Sequence, residues 1–217
     1  MNCSIIIPAY NEDTTIYTLI DSISKNYSLP IIVVDDGSDI EIKVSALENT
    51  YVLRNDGNKG KGYSVLKGIS YSSSLGFSHS IVLDADLQHD VNDIEKFLKT
   101  GEGDLVLGYR ELASPMPIHR RLSNRLTSWF ISKISGFKIK DSQCGFRMYK
   151  NSLLEKEDFK EKGFQFESEI LLKLPKETKI RQIPIKLIYN DKKSHINKVK
   201  DTGRFIKLIF RHLIYGN

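Results

Sequence analysis

The chain has 217 residues, 40% hydrophobic and 27% charged, with a formal net charge of +5. Those proportions exclude a disordered or collagen-like chain. The longest apolar runs, "IIIPA" and "IIVV", fall far short of the ~20 residues a membrane span needs. The basic excess lies in residues 117–150 and 176–212, against a knot of acids at Asp84, Asp86, Asp90 and Asp93. A basic second half suits nucleic acid, an anionic membrane surface or a phosphorylated substrate.

The N-terminal "MNCSIIIPAYNE" enters a strand-like run with neither a basic leader nor a cleavage site. A cytoplasmic protein is therefore expected, with Cys3 and Cys144 as buried thiols, not a disulfide. Residues 3–9 read as a buried strand. A helix follows over 13–25, where Ile16, Leu19, Ile20 and Ile23 recur at helical spacing. "PIIVVDDGS" is a second strand ending in a turn, then come a short helix, the strand "TYVLRN" and the glycine-rich loop "NDGNKGKG". A helix carrying Val65, Leu66 and Ile69 precedes the strand "HSIVLDAD"; residues 91–98 read as helix and "DLVLGYR" as strand. This alternation predicts a mostly parallel, doubly wound α/β sheet. Beyond about residue 110 the pattern changes. A long amphipathic helix is expected over 117–135, a strand at "CGFRMYK", a helix at "FESEILLKL", a strand at "KIRQIPIKLIY" and a last helix over 201–215. With no repeat or linker in view, one domain spanning 1–217 is expected, with a first half of about 1–110 and a second half of about 111–217.

Three polar clusters each follow a predicted strand: "PAYNE" (8–12), "DDGS" (35–38) and "DADLQ" (84–88). Ligands of open α/β sheets bind outside the carboxyl ends of the strands, so three clusters on one edge predict a pocket. In an extended chain residues two apart face the same side, which would point Asp84 and Asp86 together with Gln88 in line. A divalent cation would relieve the repulsion, and Mg²⁺ or Mn²⁺ takes hard oxygen ligands of this kind. Asp90 is expected to cap the next helix, and His89 receives no role. A calcium-loop reading fails because His89 stands where the EF-hand needs glycine. A phosphate-loop reading fails on spacing: Gly57 and Gly60 are too close, and Gly62 follows Lys61 where Ser or Thr belongs. Lys59 and Lys61 can still face an anion. No G-x-G-x-x-G follows the first strand, the five histidines form no zinc pattern, and no serine sits in a nucleophile elbow.

The motifs "PAYNE", "VVDDGS", "NKGKG", "DADLQH", "GYR", "CGFRMYK" and "FESEI" stand in this order along nearly the whole chain. In that order they resemble family 2 glycosyltransferases of the GT-A fold, above all the branch of dolichyl-phosphate mannosyltransferases and other polyprenyl-phosphate glycosyltransferases. The resemblance implies nucleotide-sugar binding by Pro8, Tyr10, Glu12, Val34, Asp36, Asp84 and Ala85. It implies a metal site at Asp84, Asp86 and Gln88, and a phosphate-contacting Arg110. Asp141 and Arg147 match the acceptor-side segment. Where relatives carry Ser-Lys-Leu, this chain has His195 after Ser194, which leaves the second phosphate clamp to His195 or to Lys192, Lys193 or Lys198. Arg120, Arg121 and Arg125 in "HRRLSNR" are further candidates for the acceptor phosphate.

The implied activity is inverting transfer of mannose or glucose, from GDP-mannose or UDP-glucose, to a polyprenyl or dolichyl phosphate, with Mg²⁺ or Mn²⁺ as cofactor. Asp86, Arg110 and Asp141 are the expected catalytic residues. A phosphate acceptor needs no general base, because its second pKa is roughly 6; a hydroxyl acceptor does, and Asp141 is the available candidate. A non-catalytic nucleotide-sugar-binding scaffold is the reading from another class, against which the two acids count. Nucleic acid is not an expected partner. The helices over 117–135 and 201–215 pair apolar stripes with Arg and Lys, so peripheral binding to the cytoplasmic membrane face is expected, with a separate membrane subunit as a further possible partner.

Overall fold

The computed structural model describes residues 2–44, 49–101, 103–111, 118–163, 165–188 and 198–215, with side chains described except at 118–120, 198–202 and 215. His195, the basic residues before it and the Arg120 side chain thus lie outside the described residues. Of the segment where a short helix was expected between the second and third strands, residues 39–44 form no helix, and residues 45–48 lie outside the described residues.

The strands are β1 (Cys3–Ala9), β2 (Ile31–Asp35), β3 (Thr50–Arg54), β4 (His79–Val82), β5 (Leu105–Arg110), β6 (Arg147–Lys150) and β7 (Ile180–Ile185). Around them run α1 (Thr15–Asn26), α2 (Lys61–Ser74), α3 (Ile94–Lys99), α4 (Ile118–Ser135), the single-turn α5 (Asn151–Leu154), α6 (Phe166–Lys173) and α7 (Lys198–Tyr215). The sheet order is β3-β2-β1-β4-β6-β5-β7. β6 is antiparallel to both β4 and β5, and the other pairings are parallel.

The period of two along the strands builds both faces. Ile5 and Ile7 of β1 and Ile31 and Val33 of β2 pack with α1 and α3. Ile6, Ile32 and Val34 pack with α2, α4, α6 and α7 on the opposite side. Ile5, Ile6 and Ile7 are fully buried, and each contributes roughly 1.5–3 kcal/mol relative to exposure. Gly68 lets α2 lie flat on the sheet, since a Cβ there would stand 2.6 Å from the Ile6 Cγ2.

The reversed strand matters for the site. Because β6 runs against its neighbours, its lead-in, residues 141–146, arrives at the edge where the parallel strands end. Arg147 anchors that lead-in. It is wholly buried. Its Nε donates to the Cys144 carbonyl at 2.8 Å, its Nη2 to Ser142 at 2.8 Å and its Nη1 to Glu167 at 2.9 Å. The guanidinium expected to meet the acceptor phosphate is therefore turned into the interior, where a rigid fork of donors satisfies carbonyls of a non-repeating loop. Arg147→Met would leave those carbonyls buried without their donor. The expected loss is about 3 kcal/mol or more in a urea titration; a loss below ~1 kcal/mol would show that the carbonyls find other partners.

Candidate active site

The ends of β1 and β2 interlock. Asn11 adopts a positive φ of 54°, its N–H donates to the Ser38 Oγ at 2.9 Å, and its side-chain oxygen accepts from the Asp39 N–H at 2.9 Å. Tyr10 stays exposed at the rim. Glu12 accepts from the Thr15 hydroxyl at 2.7 Å and is thereby tied to the start of α1.

The two aspartates of "DDGS" turn inward. Asp35 accepts from the N–H groups of Ser38 at 2.8 Å and Ile42 at 3.3 Å, and is ion-paired with Arg54. Asp36 accepts from the N–H groups of Lys59 at 2.9 Å and Gly60 at 2.8 Å and from the Asn55 amide at 2.7 Å. Asp36, expected to hold the nucleotide, instead holds the glycine-rich loop. Gly37 has a φ of 75°, and a Cβ on it would stand 2.5 Å from the Gly57 backbone, so the two loops touch where neither has a side chain. Val34 and Ala85, also expected at the nucleotide, give their side chains to the core; only their backbone remains for a ligand. Pro8 is half-buried in β1, paired with Val34.

β4 ends at Val82, before the acids. Asp84 precedes a turn at Ala85 and Asp86, and Leu87 takes a left-handed φ of 61°. The extended geometry that would align Asp84, Asp86 and Gln88 is therefore absent. Asp86 accepts the Gln88 N–H at 3.0 Å, closing the turn. Asp84 is half-buried, its side chain 30% exposed, and its oxygens are met by protein groups: Lys61 Nζ is 2.5 Å from one, and His89 Nε2 is 3.6 Å from the other. Lys61 also reaches Glu167 of α6 at 2.7 Å. Burial works to raise the Asp84 carboxyl's pKa, but Lys61 and the His89 contact outweigh it and hold the carboxyl well below the usual range. Burial likewise works to lower the Lys61 ammonium's pKa, and its two carboxylates drive it up. Asp86 moves the other way, raised by burial and then by the charge of Asp84. Asp90 caps the following turn by accepting the Asn92 N–H at 3.0 Å, as expected.

His89, given no role by the sequence, is buried against Phe146 with ring centroids 5.0 Å apart. Its backbone bridges to Leu187, and the Ile188 N–H donates to the Gln88 carbonyl at 2.9 Å. These bonds bring the chain beyond β7 to the acidic turn.

Among the described residues no group of three His, Cys, Asp or Glu side chains forms a complete metal cage. A hard cation of the Mg²⁺ type binds through one or two carboxylates and completes its shell with water and substrate phosphates. Asp86 fits that requirement: it is a half-buried carboxylate at the sheet edge, in surroundings that penalise its negative charge. Gln88 stands two residues on, also half-buried. Asp84 departs from the expectation, because its oxygens are turned to Lys61 and His89.

On the acceptor side, Arg110 and Asp141 meet each other. Arg110 Nε and Nη2 donate to the two carboxylate oxygens at 2.7 and 2.9 Å. The Asp141 carboxyl also accepts the Gln143 N–H at 3.1 Å. Burial works to raise its pKa, but Arg110 outweighs it and the net direction is down. A carboxylate held this way is a poor proton acceptor, and two nitrogens of the arginine are committed to it. Arg125 is exposed on α4 and Arg121 half-buried. Of Lys61, Glu167 and Gly145, the sequence singled out only Lys61, as a side chain able to face an anion; the anions it meets are the carboxylates of Asp84 and Glu167.

The Asp141 shift fixes the sign of a pH effect. With its folded pKa below the unfolded value of about 3.9, the pair's contribution is full above that value and is lost as pH falls through the folded pKa. Asp141→Asn is expected to lower stability at neutral pH and to lose less between about pH 4 and pH 2 than the parent, measured by denaturant titration. Parallel acid limbs in the two proteins would contradict the pairing.

The sequence profile of "Glycosyl transferase family 2" matches residues 4–163. The chain is 29% identical to the UDP-N-acetylglucosamine--dolichyl-phosphate N-acetylglucosaminyltransferase of Methanococcus voltae, over 86% of each chain. It is 28% identical to the dolichol-phosphate mannosyltransferase of Pyrococcus furiosus, covering 97% of this chain and 63% of that one. The crystal structure of mannosyl-3-phosphoglycerate synthase from Rubrobacter xylanophilus superposes with a TM-score of 0.74 at 19% identity, over 100% of this chain and 75% of that one; the two share a fold, as the GT-A expectation required. On the extent of the profile match, the chain belongs to glycosyl transferase family 2.

Proposed function

We propose that this glycosyltransferase moves a hexose from a nucleotide sugar to a polyprenyl or dolichyl phosphate at a membrane surface, with a divalent cation bound at Asp86 and Gln88. The observation that carries the acceptor class is the bidentate Arg110–Asp141 pair. Transfer to a hydroxyl needs a base to take its proton, and the candidate base is locked as the anion partner of an arginine. A phosphate acceptor is already ionised near neutral pH and asks only for positive charge. Arg121 and Arg125 on α4 are the described candidates to supply it, and Arg120 and the basic residues around His195 are candidates by sequence alone. The names of the relatives from Methanococcus voltae and Pyrococcus furiosus support the lipid phosphate and differ in the sugar, so the donor is read here as a nucleotide-activated hexose without further choice.

In the reaction an acceptor phosphate oxygen forms the bond to the anomeric carbon while that carbon's bond to the diphosphate breaks. The nucleoside diphosphate leaves with the electron pair, and attack from the opposite face inverts the centre. A bound cation would supply positive charge where negative charge grows on the leaving diphosphate. Tyr10, exposed at the rim, would meet the donor's base or ribose, and Asp86 would hold the cation beside the diphosphate.

Among the described residues no helix is long and apolar enough to cross a membrane. Two helices nevertheless expose apolar stripes at the same spacing: Leu122, Leu126, Trp129 and Phe130 on α4, and Ile206, Phe210, Leu213 and Ile214 on α7, between 41% and 68% exposed. Exposed Arg125 lies beside the first stripe, and Arg204 and Lys207 beside the second. α7 has a second face that packs inward through Leu208, so the outer stripe is surplus to folding. Apolar side chains flanked by basic ones fit an anionic lipid surface.

The test offers nucleotide sugars with polyprenyl phosphate or the matching polyprenol, with Mg²⁺, Mn²⁺ or chelator. Transfer is expected to the phosphate alone, to stop in chelator, and to fall about a hundredfold or more in Asp86→Asn. Glycosylation of the alcohol would overturn the acceptor assignment, and full activity in chelator the cation. The surface is tested separately: Trp129→Glu should release the protein from vesicles containing anionic lipid, and equal co-sedimentation of variant and parent would remove α4 from the interface.

A further inference from the structure

Lys61 is the first residue of α2, at the positive end of the helix dipole. An ammonium there is a local misfit, and this one is also largely buried, its side chain 14% exposed. Carboxylates from two distant segments resolve it: Asp84 from the turn after β4 and Glu167 from α6. Gly145, in the lead-in to β6, closes the remaining side. A Cβ on Gly145 would stand 2.6 Å from Asp84 Oδ2 and 2.7 Å from Lys61 Nζ, so a side chain there would displace the ends of both. The buried Arg147 guanidinium borders Glu167 and donates to its carbonyl. An ion cluster of this kind contributes little stability beyond what apolar side chains of the same volume would, whereas it fixes orientation closely.

We propose that Lys61 and Glu167 are positioning residues of the donor site. They keep Asp84 turned inward with its charge met by the protein, so that the cation and diphosphate are engaged from the Asp86 side of the turn. Gly145 is the opening that lets them do so. The inference rests on the cation in the function proposed above. Without the Lys61 ammonium, Asp84 is released to swing outward and join Asp86 on a cation. The isolated metal should then bind tighter, while the geometry for sugar transfer is lost.

The experiment is a Mn²⁺ titration followed by electron paramagnetic resonance, with no donor present, on the parent, Lys61→Met, Gly145→Ala, Asp84→Asn and the Asp84→Asn/Lys61→Met double variant. Lys61→Met is expected to bind Mn²⁺ roughly fivefold or more tightly than the parent, and that gain should vanish in the Asp84→Asn background. Asp84→Asn alone should change the affinity less than about threefold. Gly145→Ala alters no charge and has no positive φ to oppose it; by wedging Asp84 off Lys61 it should shift Mn²⁺ affinity in the same direction, and it decides the matter if Lys61→Met does not fold. Transfer kcat should fall tenfold or more in Lys61→Met. Loss of Mn²⁺ binding in Asp84→Asn would make Asp84 a direct ligand and overturn the proposal. So would unchanged Mn²⁺ affinity in folded Lys61→Met or Gly145→Ala, or a Lys61→Met effect that persists without Asp84. A parent that binds Mn²⁺ but transfers no sugar would refute the function above while the Mn²⁺ cycle still decides this inference; a parent that binds no Mn²⁺ overturns both.

Discussion

Lys61 Nζ lies between carboxylates from the turn after β4 and from α6, 2.5 and 2.7 Å away. Burying an ammonium is tolerable only when both partners are in place. That requirement ties together parts of the chain that share no local interaction: the glycine-rich loop that starts α2, the acidic turn, the lead-in to β6 and the face of α6. Arg147 closes the arrangement from beneath by holding the carbonyls of Ser142, Cys144 and Glu167. Remove that anchor and Gly145 has no fixed place, and with it goes the gap the ion cluster occupies.

The fold was largely legible because its signals are local. Short continuous apolar runs of Ile and Val marked β1 and β2, and helical spacing of Ile16, Leu19, Ile20 and Ile23 marked α1. "CGFRMYK" announced a strand, but nothing in seven residues reports which way it runs. Only the pairing with β4 and β5 shows that β6 is reversed and that Asp141 and Gly145 therefore reach the ligand edge.

Site residues divided along the same line. The positions of the polar clusters at strand ends were readable; the direction of each carboxylate was not. Asp36 and Asp84 look alike in sequence to side chains that meet a ligand, and both turn inward because unsatisfied N–H groups or an ammonium stand closer. Asp141 was readable as acidic and on the acceptor side, but its bidentate partner is 31 residues away in sequence, beyond any motif. That partner makes it the counter-ion of an arginine, which no local motif reports.

The contact between Gly37 and Gly57 bears on how such a chain can diversify. Gly37 stands where a side chain would meet the Gly57 backbone at 2.5 Å, whereas a Cβ on Gly57 meets open space, so the loop after β2 cannot acquire bulk at that point without displacing the glycine-rich loop, while the glycine-rich loop can. Change is thereby channelled away from the loop after β2. It falls to side chains on the outer lip, such as the exposed Tyr10, which can be exchanged one at a time without disturbing that contact.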